Sequence, residues 1–269
     1  MAPYDCNASD ADLILRTSDE KELRVHSAIL GQASPVFKAM LNLPQTTESP
    51  SQLPSMKLPE SSNDLVPFIQ YLYPRSRPKI PDITAWGAVC AVAGKYQAEG
   101  VKDSLGEILL PRFLEASPLR VYALASRWGF EEEAKIASTR ILTLGILKDL
   151  TSEDAELMGG VACRKLFLLH TNYREGVMSV LINSGGPLSP GHVMCNCSAK
   201  IRHIYLRSIA HVVGEKNPLN IEAIRQVAGN SMRWPDRCGA GADCDWAEGS
   251  KAGWLDTLEA GVSNLPTSI

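Results

Sequence analysis

A four-residue polar cluster, Thr17-Ser18-Asp19-Glu20, divides an apolar-rich stretch in two and decides how the start of this chain can fold. Before it, Leu13-Ile14-Leu15 is a short apolar run; after it, Glu22-Leu23-Arg24-Val25 alternates polar and apolar. A single amphipathic helix would have to carry the turn-forming cluster through its middle. Two short antiparallel strands joined by a tight turn fit the period-two pattern. Ala28-Ile29-Leu30 then reads as a short helix stopped by Gly31, and Ser34-Pro35 as a fresh helix start, a hydroxyl N-cap followed by proline in the first turn. Val36, Phe37, Met40 and Leu41 supply helical spacing, and residues 42–55 read as an exposed loop. Met56-Lys57-Leu58 is a candidate third strand stopped by Pro59, with Asn63 or Asp64 capping the next helix. The expected core of this part is Leu13, Leu15, Val25, Ile29, Phe37, Leu65 and Ile69.

From Ile83 the pattern is mainly helical. Ile83, Trp86, Cys90, Ala93 and Tyr96 share one face, and Val101, Leu105, Ile108 and Leu109 mark a helix closed before Pro111. Ser117-Pro118 opens another helix that Gly129 ends, and Glu131-Glu132-Glu133 crowds the first turn of the next, where the helix dipole favours acid. Leu166, Leu169, Tyr173, Val177 and Val180 recur at helical steps up to Ser184-Gly185-Gly186-Pro187, where we place an organisational boundary. Two more helices are expected around residues 201–212 and 221–227, and the stretch from Arg237 to Ile269 is expected to be partly ordered at best.

Composition narrows the function classes. The net charge is −3, so a general electrostatic grip on nucleic acid, which needs clustered excess Lys and Arg, is not expected. No apolar run reaches the roughly 20 residues that span a bilayer, and the N-terminus lacks the basic and apolar regions of a signal peptide. The seven cysteines are odd in number and irregularly spaced, which argues against a disulfide framework. The expectation is an intracellular protein of cytoplasm or nucleus.

Catalytic signatures are sparse. There is no GxSxG, GxxxxGK[ST] or HExxH motif, and Gly239-Ala240-Gly241 is half of a dinucleotide fingerprint with no strand before it. Asp243-Cys244-Asp245 reads as a turn, and His26, His170, His192, His203 and His211 are scattered. A hydrolase or transferase assembled from such His, Asp and Cys residues is the remote alternative. One constellation has chemical promise: Cys195, Cys197, Cys238 and Cys244 could close a tetrahedral zinc site, with His192 able to replace one sulfur. Their spacing departs from the two to four intervening residues that structural sites favour. The reading is therefore no cofactor, with zinc as the alternative that elemental analysis would test.

Several motifs together resemble the BTB/POZ domain. They are Asp12-Leu13-Ile14-Leu15, Leu23-Arg24-Val25-His26-Ser27-Ala28-Ile29-Leu30, and Ser34-Pro35-Val36-Phe37-Lys38-Ala39-Met40-Leu41. Leu58-Pro59-Glu60, Phe68-Ile69-Gln70-Tyr71-Leu72-Tyr73 and Ala91-Val92-Ala93-Gly94-Lys95-Tyr96 follow in the same order. The resemblance covers about residues 10–110. Leu119 to Phe130 is similar to the helical extension that trails many such domains, and the chain as a whole is similar to stand-alone BTB proteins of mushroom-forming fungi.

The resemblance implies an α+β fold, a short-stranded sheet packed by helices, followed by an all-α extension. It divides the chain into a BTB/POZ domain (10–110), a helical extension (111–185) and a cysteine-bearing helical tail (186–269). It implies a non-catalytic protein–protein interaction module, a scaffold or adaptor whose partners are other proteins. The alternative is a substrate adaptor of a cullin-type ubiquitin ligase. Asp12 and His26 match family positions and are read as structural, both meeting backbone groups. Ser27 stands where transcriptional members carry Arg or Lys, which leaves their charged pocket incomplete. Leu43-Pro44-Gln45 keeps the size but not the charge of the hydrophobic-x-Glu sequence of cullin-binding members. The chain before Asp12 has only Tyr4 as a large side chain, so any homodimer is expected to be weak or to use the helical faces alone.

Overall fold

A computed structural model describes residues 4–43, 53–183 and 248–269. The expected strands are β1 (Leu13–Arg16), β2 (Glu22–Val25) and β3 (Ser55–Lys57). They form one sheet in the order β2-β1-β3, β1 running antiparallel to β2 and parallel to β3. Leu13 pairs with Val25 and Leu15 with Leu23, so the period-two pattern sends all four side chains to one buried face. Asp19, in the turn, accepts from the Ser62 amide at 2.8 Å and its hydroxyl at 2.7 Å, tying the hairpin to the helix that follows β3.

The helices are α1 (Ser27–Ala33), α2 (Pro35–Leu41), α3 (Ser62–Leu72), α4 (Ile83–Lys95), α5 (Glu99–Phe113), α6 (Pro118–Trp128), α7 (Glu131–Leu144), α8 (Ser152–Asn183) and α9 (Glu248–Ser263). A 3₁₀ turn, Ile146–Asp149, lies between α7 and α8. Ser34 caps α2 as expected, its hydroxyl accepting from the Phe37 amide at 3.0 Å and donating to the Tyr96 carbonyl. Phe37 lies fully buried against Tyr96, ring centroids 4.3 Å apart, with Phe68 completing the cluster. Gly129 sits at φ 80° and ends α6 with the Phe130 amide bonded back to Ala125.

Several local expectations are corrected. Gly31 does not stop α1; it lies inside that helix, where a Cβ would come within 3.4 Å of Leu41, so the small residue lets α1 and α2 close on each other. The stop is Ser34, held extended by Pro35 behind it. The cap of α3 is Ser61, not Asn63 or Asp64; its hydroxyl takes the Asp64 amide and donates to the Asp64 carboxylate at 2.8 Å. α5 runs through Pro111 to Phe113, because burial of Leu109 and Phe113 holds the last turn and the proline forfeits only one backbone bond. Leu30 is buried in α1 and Ile29 only half-buried; the other six expected core residues are buried. α8 begins at Ser152, fourteen residues before Leu166, and breaks at Gly159, whose φ of 76° belongs to the left-handed region. Residues 248–263 form α9, with Leu258 and Val262 buried, while residues 237–247 of the same stretch lie outside the described residues. The expected helices at 201–212 and 221–227 lie outside the described residues.

Contacts divide the chain into two compact units, Met1–Glu133 and Ala134–Ile269. In the first, α6 packs on α4 and α5 at small residues: Leu124 lies over Gly87 and Trp128 over Gly94, while Phe130, just past α6, lies over Gly106. In the second, α9 lies along α8, with Val180 over Gly261. Among the described residues no helix is long and apolar enough to cross a membrane.

Candidate protein-interaction surface

The family-matching residues Asp12 and His26 flank the start of α1. His26, the N-cap residue, makes no side-chain cap, and Asp12 supplies one from the other strand. Its carboxylate accepts from the Ser27 amide at 2.7 Å and the Ser27 hydroxyl at 2.6 Å. Partial burial works to raise the Asp12 carboxyl, but these two bonds outweigh it and hold the group below its usual range. Ser27 thus spends its hydroxyl on Asp12, and the pair is a neutral-plus-anion cap. Asp12 meets a backbone group as expected. The His26 ring meets side chains instead, with Nδ1 3.0 Å from the Tyr73 hydroxyl and Nε2 3.4 Å from Asp10.

The hydroxyl of Tyr73 also accepts from the His26 amide at 2.9 Å, and its ring stacks on Tyr4 with centroids 3.7 Å apart and planes 6° apart. Tyr4 is buried, donates to the Arg24 carbonyl at 2.7 Å, and receives Gln70 on its own carbonyl at 2.8 Å. The Arg24 amide donates to the Cys6 carbonyl at 2.8 Å, and Asn7 forms a parallel bridge to Arg24. The segment before Asp12 therefore lies along the free edge of its own β2, tied to α3 by stacking and one side-chain bond. Sequence reasoning singled out Tyr4 as the only large side chain there but not its partner; Tyr73 was visible as the second half of the Leu72-Tyr73 pair.

Other motif residues meet at the opposite end of the sheet. Glu60, after β3, accepts from Lys95 and from the Tyr96 hydroxyl, the latter at 2.7 Å. Burial works to raise the Glu60 carboxyl, but the bonds from Lys95 and Tyr96 prevail and lower it. At the end of α2, Leu43 is 63% exposed, the most exposed large apolar residue described in the first unit. Pro44 and Gln45 lie outside the described residues.

The four cysteines proposed as zinc ligands, Cys195, Cys197, Cys238 and Cys244, and also His192, His203 and His211, lie outside the described residues. Among the described residues no group of three or more His, Cys, Asp and Glu is placed to hold a metal ion. Burial pushes the Cys6 thiol up to about 12, with Asp5 adding to it, and raises the Cys90 thiol too, so neither is a thiolate at neutral pH. His170 lines a cavity in the second unit whose lining holds no carboxylate and no thiol.

No curated protein matches the chain. The family model of the BTB/POZ domain matches residues 3–112, the span from the docked N-terminal segment to the last turn of α5. Residues 3–112, with their three-stranded sheet and the helices α1 to α5 around it, form a BTB/POZ domain.

Proposed function

We propose that this chain is a non-catalytic adaptor, which binds partner proteins through its BTB domain and its helical extension and self-associates only weakly. BTB domains are protein–protein interaction modules, and homodimerisation is among the interactions they mediate. The observation that carries the weak-dimer reading is the docking of Tyr4 to Asn7 on the β2 edge of the same domain. An edge strand is a template for pairing with another chain, and here its backbone groups at Arg24 are taken in cis. An obligate dimer typically buries above about 2,000 Å², much of it apolar, and a segment whose one large side chain is already stacked on Tyr73 has little left to add. Sedimentation velocity on the full chain tests this: a monomer–dimer equilibrium in the micromolar range is expected. A dimer that persists at nanomolar concentration refutes it.

A second reading, an adaptor of a cullin-type ubiquitin ligase, is favoured by Leu43. An apolar side chain exposed just past the end of a helix is the sort of anchor an interface buries. Affinity capture of the tagged chain, compared with Leu43→Asp, tests both readings. A cullin recovered with the native chain and lost with Leu43→Asp establishes the adaptor; partners without a cullin leave the scaffold.

A further inference from the structure

We propose that the outward face of α8, where Val161, Arg164, Lys165 and Leu168 meet, docks a partner helix that carries a large apolar side chain flanked by carboxylates. The proposal rests on the reading of the chain as an adaptor and gives a partner of its helical extension a chemistry.

The face follows from the helical period. α8 turns about 100° per residue. Burial of Leu166, Leu169 and Val177 on one side therefore aims Val161, Arg164, Lys165 and Leu168 outward. Those four stand at i, i+3, i+4 and i+7, the four positions that make one hole in knobs-into-holes packing. Val161 and Leu168 are the two ends of the hole, and Arg164 and Lys165 are its two sides. Val161 is 76% exposed and Leu168 42%, and Phe167, next to Arg164 on one flank, is 49% exposed. Of the five exposed large apolar side chains among the described residues, these three fall between Val161 and Leu168. Single apolar side chains on a surface are ordinary, but three crowded on two turns are surface that a partner takes out of water.

Charge selects that partner. Between Leu157 and Arg174 the chain holds no Asp or Glu, so neither Arg164 nor Lys165 has an acid three or four positions away along α8. Both are exposed, and neither makes an ion pair with another described residue. The alkyl stems of Arg and Lys can wall an apolar hole while their charged ends stay at its rim. An apolar knob seated between Val161 and Leu168 thus meets a cation on either side. Carboxylates three or four residues from the knob on the partner helix complete both pairs.

Other occupants fit less well. In an isologous contact with a second copy the hole faces itself and sets cation against cation. A bilayer surface takes up a helix with a long apolar face, whereas Thr171, Asn172 and Glu175 follow Leu168 on the exposed side of α8. From Val161 to Leu168 α8 rises about 10 Å, which suits one knob and its flanking acids.

The test is selection from a phage library displayed on an alanine-rich helical scaffold, with the full native chain as target and R164E/K165E as counter-target. Both substituted side chains are exposed, and circular dichroism checks that the variant folds. Selected helices are expected to carry Leu, Phe or Met with Asp or Glu three or four positions away. They should bind at least tenfold more weakly to R164E/K165E and at least fivefold more weakly to V161A/L168A, whose alanines keep the helix. Exchanging their acids for Lys should restore binding to R164E/K165E and abolish it to the native chain. Helices that bind native and charge-reversed chains equally overturn the proposal, as does a library that yields none. Vesicles of phosphatidylserine and phosphatidylcholine that bind the native chain but not R164E/K165E, with no helix selected, also overturn it and make the face a membrane contact. Sedimentation velocity keeps the adaptor reading separate. R164E/K165E should leave self-association unchanged, and a shifted monomer–dimer equilibrium overturns the proposal by making the face a contact between copies.

Discussion

Replacing Phe37 with alanine tests whether the BTB domain is organised around the aromatic cluster between α2, α3 and α4. Phe37 is fully buried and stacks on Tyr96 at 4.3 Å, with Phe68 at 6.4 Å. Truncating a buried phenylalanine costs about 3–5 kcal/mol, the transfer free energy of the ring plus the cavity it leaves. The upper part of that range applies here, because the site has little room to collapse. Tyr96 is pinned by its hydroxyl to Glu60 and by its carbonyl to Ser34, and Phe37 itself follows directly on the Ser34 cap. Against a typical total of about 5–15 kcal/mol, the loss leaves the domain marginal. With an m-value of about 1.5 kcal/mol per molar urea, a loss in that upper part lowers the midpoint by about 3 M. Hydrogen exchange read by peptide along a urea series is the suitable assay, since it follows residues 13–110 separately from the second unit. Protection in β1, α3 and α4 should fall together. A midpoint shift below about 0.5 M, or loss confined to α2, would refute the argument that these elements share one core.

Three further outcomes are expected. Tyr4→Ala removes a stacked, buried ring and its bond to Arg24; hydrogen exchange at residues 22–26 should quicken markedly, and unchanged exchange there would mean that the segment does not hold the β2 edge. Gly261→Val places a Cβ 2.7 Å from Val180, a stiff β-branched neighbour, so overpacking of about 1–3 kcal/mol should lower the thermal midpoint of the second unit, whereas an unchanged midpoint would show that α9 sits looser on α8. Glu60 has a lowered folded-state pKa, so its contribution is present above the ordinary carboxylate value of about 4.3 and is lost as pH falls through the lower folded value; Glu60→Gln should flatten the acid limb of the stability profile, and an identical acid limb in the variant would refute the assignment.

Much of the fold could be read locally because its signals are local. A hydroxyl followed by proline at Ser34-Pro35 and Ser117-Pro118, glycine at 129, three acids at 131–133 and alternation in β1 and β2 each act within one turn or one strand pair. Where reading failed, a contact distant in sequence prevailed. Gly31 looks like a stop until Leu41 is seen to lie over it. Pro111 looks like an end until Leu109 and Phe113 are seen to be buried.

The candidate site divides in the same way. Asp12, His26, Leu43 and the Lys95-Tyr96 pair were legible as motif residues, since a family pattern is a statement about sequence. Their partners were not: Asp12 with Ser27, Glu60 with Lys95 and Tyr96, and Tyr4 with Tyr73 all join residues at least fifteen positions apart. Sequence alone determined the two strands, the helix starts and the set of apolar side chains to be buried, because propensity, capping and turn chemistry are properties of neighbouring residues. Tertiary structure decided that β3 lies parallel beside β1 and that the N-terminal segment closes the β2 edge in cis. Those outcomes depend on which distant surfaces bury one another best, and that balance is settled only when the whole unit packs.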